Sequence, residues 1–586
     1  MQKLMLICAS VMLVSACGTQ VPERTHTGEQ PSVAATEPSV VSDQAVDQPA
    51  VQGVAEEVVV TGQLRAFKLS KSREMSTGLL SLSQASMAYD MNLRPQNTER
   101  YPDTPSNGVH WARIDPVSTF SIDVDTASYS NVRRMLNQGQ LPQPQAVRIE
   151  ELINYFNYDY PRSQDANVPF RVYTELGPSP WARDRHLLHV GINGWQPEEN
   201  ASLPPTNLVF LIDVSGSMQA PNKIGLLKQA MKLMVRQLRA EDTLSIAVYA
   251  GASGQVLAPT AGDQKATIEM ALDNLQAGGS TNGEAGIRLA YQMARSQFKA
   301  EGINRVILAT DGDFNVGTTD ENELERLVEH ERNSGVSLTV LGFGHGNYND
   351  ALMQKIAQIG NGNAAYIDSI HEARKVLVDE LGATLNTIAK DVKIQLEFNP
   401  QVVESYRLIG YETRHLNRED FNNDKVDAGE IGAGHTVTAL YELTLVGEGS
   451  SLVDPLRYGQ DNQRPTQALS AIELGYLKLR YKAPNSDTSK LITQPLLTAD
   501  FKANLNTTSK SFRFSAAVAW LGQILREDFS AQGDTIQDVI KLAQTSRGQD
   551  SHGYRSEFIQ LARTAASLTQ LNDHPVNPVA LQDMRN

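Results

Sequence analysis

Residues 207–384 predict an α/β domain, a doubly wound and mostly parallel sheet, inserted between flanking β-rich and α-helical regions. Three observations carry this expectation. Two nearly continuous apolar runs, 207–214 (NLVFLIDV) and 305–310 (RVILAT), have the composition of strands covered on both faces. Stretches with apolar residues at helical spacing alternate with further short β-prone runs. The apolar runs end in Ser-, Gly- and Asp-rich turns, where strands give way to loops.

In order, the 207–214 strand opens into Ser215-Gly216-Ser217. Ile224, Leu227, Met231, Met234, Val235 and Leu238 then recur on one helix face. A strand over 243–249 and a helix over 266–275 follow. The loop Gly278-Gly279-Ser280-Thr281 precedes a helix over 283–298. The 305–310 strand ends at Asp311-Gly312-Asp313. Residues 321–332 read as helix, 337–343 as strand, 351–359 as helix, 364–367 as strand and 371–381 as helix. Outside this unit, strands are expected over 170–176, 186–194, 392–398, 436–444 and 476–481. Helices are expected over 132–136, 148–156, 515–525, 536–543 and 557–568. Strands on both sides of one α/β unit predict a platform built from both flanks, with a helical portion at the C-terminal end.

The chain has 586 residues, 41% hydrophobic and 20% charged, which is ordinary usage for a folded protein. Acidic residues outnumber basic ones, 67 to 52, giving a formal charge of −15 and a pI of about 5.3. No basic surplus is available to displace counterions from phosphates, so nucleic acid is excluded as a general partner. The two cysteines, Cys8 and Cys17, both precede the folded body, which can hold neither a disulfide framework nor a cysteine zinc site.

Lys3 and the short apolar stretch 4–14 form the start of a secretory signal, too short to span a bilayer. Val14-Ser15-Ala16-Cys17 resembles a bacterial lipoprotein lipobox. That resemblance implies cleavage after residue 16 and a lipid anchor at Cys17, with several acyl chains for stable membrane attachment. Gly18 follows instead of the Asp that retains such lipoproteins in the inner membrane, so the expected site is the outer membrane, facing the periplasm or exposed at the surface. Residues 18–65 are rich in Pro, Ser, Thr, Gln, Ala and Val, and no Phe, Trp or Tyr precedes Phe67, so this segment reads as a tether. Within it, residues 56–62 (EEVVVTG) form a short β-prone run that resembles the stretch near the start of TonB-dependent receptor plugs. No later apolar stretch reaches about 18 residues, so the mature chain is expected to be anchored rather than spanning.

In a doubly wound sheet, ligands sit beyond the carboxyl ends of the strands. Three oxygen-rich loops gather there, carrying Asp213-x-Ser215-x-Ser217, Thr281 and Asp311. Two carboxylates and three hydroxyls, with no soft donor, suit a hard divalent cation: Mg2+ first, with Mn2+ and Ca2+ as alternatives. Loops ending D-x-S-x-S, then G-G-S-T, then T-D-G, in this order on strand ends, resemble the metal-ion-dependent adhesion site of von Willebrand factor A domains. The resemblance covers 207–384. It implies that Ser215, Ser217 and Thr281 hold the cation and that Asp213 and Asp311 hold it directly or through water.

The flanks are similar to a family as well. The run 118–129 (STFSIDVDTASY), the run 422–435 (NNDKVDAGEIGAGH) and Phe512-Arg513-Phe514-Ser515 resemble the bacterial YfbK-like A-domain lipoproteins. The expected organisation is a signal peptide (1–16), a lipidated cysteine with tether (17–96), an N-terminal associated domain (97–205), the A domain (206–385) and a β-rich plus helical C-terminal domain (386–586). The function so implied is cation-dependent binding of a protein partner that offers an acidic side chain. A structural envelope protein stiffened by its cation is the alternative. A metal-assisted hydrolase would need a general base that these loops do not supply beyond their own carboxylates. Other motifs fail on the residues at their key positions. Asp123-x-Asp125-x-Ala127 lacks both serines, and Asp420-x-Asn422-x-Asp424 carries Lys425 and Ile431 where an EF-hand loop needs Gly and Glu.

Overall fold

The computed structural model describes residues 99–122, 125–163, 168–197, 203–280, 282–312, 321–346, 348–448, 473–528 and 535–573. Cys17, the 18–65 tether with its 56–62 run, and Thr281 lie outside the described residues. Among the described residues no helix is long and apolar enough to cross a membrane.

The N-terminal flank supplies β1 (His110–Trp111), β2 (Val117–Ser121), α1 (Ala127–Asn137), α2 (Ile149–Asn154), β3 (Phe170–Pro178) and β4 (His186–Gly194). The central unit follows as β5 (Thr206–Asp213), α3 (Leu226–Gln237), β6 (Thr243–Tyr249), β7 (Ser253–Ala261), α4 (Lys265–Asp273), α5 (Gly283–Ser296), β8 (Ile303–Thr310), α6 (Glu321–Asn333), β9 (Ser337–Phe343), α7 (Asp350–Ile359), β10 (Ala364–Ile367), α8 (Ile370–Arg374) and α9 (Leu381–Leu385). Its six-stranded sheet runs β10-β9-β8-β5-β6-β7, parallel except for β7 at the edge. Every residue of β5 is buried because helices cover both faces. Leu208, Phe210 and Ile212 pack with Leu227, Met231 and Met234 of α3. Val209 and Leu211 point the other way, against Ile287 and Tyr291 of α5, as the two-residue period of a strand requires.

Two departures from the expected pattern have local causes. β7 was not expected, because Gly254 and Pro259 interrupt the run; an antiparallel edge tolerates both, and Val256 stays 41% exposed there. The helix expected over 371–381 divides into α8, a wide turn over Lys375–Asp379 and α9. The turn directs Lys375 inward, with its ammonium 4.5 Å from the Tyr155 ring centre.

After the central unit come β11 (Thr387–Phe398), β12 (Val403–Ile409), β13 (Gly429–Gly432), β14 (Thr436–Leu445), β15 (Glu473–Lys482), β16 (Ser489–Leu497), α10 (Lys510–Leu525), α11 (Ile536–Ser546) and α12 (Tyr554–Asp573). One sheet runs β1-β12-β14-β4-β3, so β4 from before the insertion pairs with β14 from after it, with Val190 opposite Ala439. The second runs β13-β11-β15-β16, with β2 also on β11. Phe120, Val190, Ile192, Ile394, Leu396, Tyr441 and Leu479 share one core between them. The platform is therefore built from both flanks. Helices α10, α11 and α12 pack with α1 and α2 around Tyr155, Phe156, Phe514, Val539 and Phe558. Of the strands not expected, β16 carries Pro495, which its edge position tolerates.

Buried ion pairs fasten the central unit to the flanks. Arg148, preceding α2, donates to Glu151 and to Asp350 of α7 at 2.6 Å. Arg133 of α1 pairs with Asp368 and with Glu372 of α8 at 2.7 Å. Asp125 accepts from the Ala364 amide and from Arg414, both at 2.9 Å. At another junction, burial pushes the Glu430 carboxyl up to about 8 against the pull of Arg305, with Asp427 and Asp391 adding to the rise and Lys390 opposing it. From the ordinary value of 4.5 up to about 8 the unfolded chain sheds this proton while the folded protein keeps it, so native stability falls across that window. Glu430→Gln should therefore gain in melting temperature over the parent as pH rises from 5 to 8, with the gain levelling off above 8. A pH-independent difference between the two proteins would contradict this.

Candidate functional site

The site is built at the carboxyl ends of β5 and β8, the central pair of the sheet. Asp213 is the last residue of β5, and its side chain is fully buried. Its Oδ1 accepts from the Ser215 amide at 2.8 Å, closing a turn that swings the loop over the strand end. Its Oδ2 accepts from the Tyr249 hydroxyl of β6 and from the Thr310 hydroxyl of β8, each at 3.2 Å. Both neighbouring strands thus hold the carboxylate. Burial raises the Asp213 pKa, the bonds from Ser215 pull it down, and the negative charge of Asp311 pushes it up again. Both carboxylates are buried, and Asp213 feels the charge of Asp311.

The loop after β5 turns through Gly216–Gln219. Ser215 is buried and Ser217 exposed, and their hydroxyl oxygens stand 2.9 Å apart. The second loop is tied to the first by two backbone bonds, Gly216 N to Gly279 O at 3.0 Å and Gly278 N to Val214 O at 2.7 Å. A Cβ at Gly216 would stand 3.4 Å from the Gly279 oxygen, and Gly279 itself has φ +95°. Ser280 lies beside Gly251, where an added Cβ would stand 3.2 Å from its Oγ, and Asn282 caps α5 by accepting from the Ala285 amide. Thr281 falls between them, outside the described residues.

Asp311 follows β8 and is fully buried. Its Oδ2 accepts from Lys223 Nζ at 2.8 Å. Gly312 has φ +93°, and a Cβ there would stand 2.6 Å from Tyr348 Cα. Tyr348 and Asn349 lie under this loop, and Glu99 and Arg100 strap the segment around them. Glu99 accepts from the Gly346 amide at 2.9 Å, Arg100 N donates to Tyr348 O at 3.0 Å, and Asp350 N donates to Arg100 O at 3.1 Å.

The structure thus brings Asp213, Ser215 and Ser217 together at one strand end and sets Asp311 at the end of the adjacent strand. Lys223, Tyr249 and Tyr348 are further members that sequence reasoning did not identify. Tyr249 closes an apolar strand and reads as core. Lys223 lies 88 positions from Asp311, and no spacing rule links them. The demoted acidic motif is committed elsewhere: Asp424 accepts from Arg480 at 3.0 Å and from Ser489, and Asp420 accepts from the Asn417 amide at 3.0 Å.

Comparison with known proteins bears on this arrangement. The family profile described as von Willebrand factor type A domain matches residues 207–378. A profile described as the C-terminal part of the uncharacterized protein YfbK matches 383–568, and one described as von Willebrand factor matches 95–189. The Escherichia coli (strain K12) "Uncharacterized protein YfbK" is 45% identical over 498 residues, covering 84% of this chain and 85% of that protein. Human inter-alpha-trypsin inhibitor heavy chain H4 is 27% identical over 209 residues, 34% of this chain and 22% of that protein. A solved von Willebrand factor type A structure from Catenulispora acidiphila aligns with a TM-score of 0.39 at 14% identity, over 69% of this chain and 92% of that one.

Proposed function

The chain belongs to the YfbK family of von Willebrand factor type A domain proteins, and from that premise we propose that it is a non-enzymatic, divalent-cation-dependent protein-binding lipoprotein of the cell envelope. The A domain points to protein interaction or adhesion as the general task. In the specific reading, Asp213, Ser215, Ser217, Thr281 and Asp311 hold the ion, which when bound supplies a Lewis-acidic position for a carboxylate of the partner. The lipid at Cys17 keeps the protein on the outer membrane.

One observation carries this reading. The fully buried Asp213 carboxylate and two serine hydroxyls 2.9 Å apart share the end of the central strand, with a second buried carboxylate, Asp311, on the next. All are hard oxygen donors, which fit Mg2+ and related cations. The mutual repulsion of the two carboxylates is what a divalent cation would relieve.

The test is affinity capture from solubilised envelope membranes in Mg2+, with EDTA, and with Asp213→Ala. Both EDTA and the substitution should abolish capture, and the far-ultraviolet circular dichroism of the variant should match the parent. Capture that survives both treatments would remove the ion from the mechanism. A fall in melting temperature on metal removal with capture unchanged would assign the ion a purely structural part.

A further inference from the structure

Lys223 belongs to the wide turn Pro221–Gly225 that leads into α3, and it is 8% exposed. Its stem crosses Gly344, where a Cβ would stand 2.3 Å from Lys223 Cε and 2.5 Å from Cγ. Gly344 has φ +78°, so both backbone conformation and space favour a residue without a side chain there. The passage delivers the ammonium to Asp311, at 2.8 Å from Oδ2. A lysine drawn into the fold across Gly344 and aimed at a carboxylate of the candidate site calls for a role.

Charge counting suggests one. Asp213 and Asp311 contribute two negative charges and Lys223 one positive charge. A divalent ion would bring the sum to one positive charge, and a single carboxylate from outside would bring it to zero. We propose that Lys223 is a specificity-determining residue: it weakens the hold on the cation alone and leaves the loaded site one charge short of neutrality, a deficit that an acidic partner fills. This rests on the cation-binding reading above. Like charges in a region of reduced dielectric repel by enough to alter affinity on the order of tenfold.

The experiment is calorimetric titration of the whole mature protein with Mg2+, comparing the parent, Lys223→Met, Lys223→Arg and Asp213→Ala. Met keeps an apolar stem beside Gly344 and removes the charge; Arg keeps the charge. Mg2+ should bind Lys223→Met about tenfold more tightly than the parent. Lys223→Arg should stay near the parent, and Asp213→Ala should lose binding. Acetate, as a carboxylate probe, should tighten Mg2+ binding in the parent more than in Lys223→Met. Equal or weaker Mg2+ binding by Lys223→Met, with binding abolished in Asp213→Ala, would overturn the inference and leave the cation site standing. Equal tightening by acetate in both would overturn the charge-balance step. A parent that takes up no Mg2+ would end the cation reading itself, and this inference with it. Should Lys223→Met fail to fold, Lys223→Gln is read by the same criteria.

Discussion

Arg148→Met should destabilise the protein by about 3–5 kcal/mol, the range for removing one partner of a buried ion pair. Arg148 is 2% exposed and donates to Glu151 through Nε and Nη2 and to Asp350 through Nη1. Glu151 and Asp350 are themselves buried. Glu151 keeps bonds from Gln354 at 2.7 Å and from the Ser128 amide at 2.8 Å, but no hydrogen bond replaces the lost positive charge. Methionine fills much of the same volume, so the loss is electrostatic rather than a cavity. The matched control is the triple variant Arg148→Met, Glu151→Gln, Asp350→Asn, which neutralises all three groups and should recover most of the loss. The measurement is the midpoint of denaturant unfolding for the parent, single and triple proteins. A single variant within about 1 kcal/mol of the parent would mean that water reaches the cluster and screens it.

Gly312→Ala should cost about 2–4 kcal/mol and disturb the candidate site together with the fold. The position combines two demands: φ +93°, and a Cβ site 2.6 Å from Tyr348 Cα and 2.7 Å from Asn349 N. Backbone atoms cannot swing aside as a flexible side chain can, so the strand-end loop must move and take Asp311 with it. Gly346→Ala separates the two causes. Its φ is +96°, but nothing lies within 4 Å of the added carbon, so only the conformational term of about 1 kcal/mol remains. Melting curves with and without Mg2+ read both effects. Gly312→Ala should melt well below Gly346→Ala and respond less to Mg2+; equal melting points would dismiss the steric argument.

The central fold was legible because its signals are local. A strand buried on both faces has to be apolar throughout, so the runs at 207–214 and 305–310 reappear as Thr206–Asp213 and Ile303–Thr310, and 337–343 is reproduced residue for residue. Strands on an open edge or with one wet face give weaker signals. β7 and β16 carry Pro and exposed polar residues and gain their strand conformation from neighbours distant in sequence. The 371–381 run has a helical pattern, but its middle is a wide turn with Lys375 set over the Tyr155 ring, a tertiary contact that periodicity does not encode. At the site, Asp213, Ser215, Ser217 and Asp311 were legible because they punctuate strand ends. Lys223 was not, since its meaning depends on Asp311 and on the absence of a side chain at Gly344, both remote in the chain.

The strap formed by Glu99 and Arg100 has a mechanical consequence. These residues grip Gly346, Tyr348 and Asp350, and Gly312 rests on the backbone of Tyr348 and Asn349. Glu99 also accepts from Arg134 of α1 at 2.9 Å, so a load on this residue would be divided between the seat of Asp311 and the helical layer.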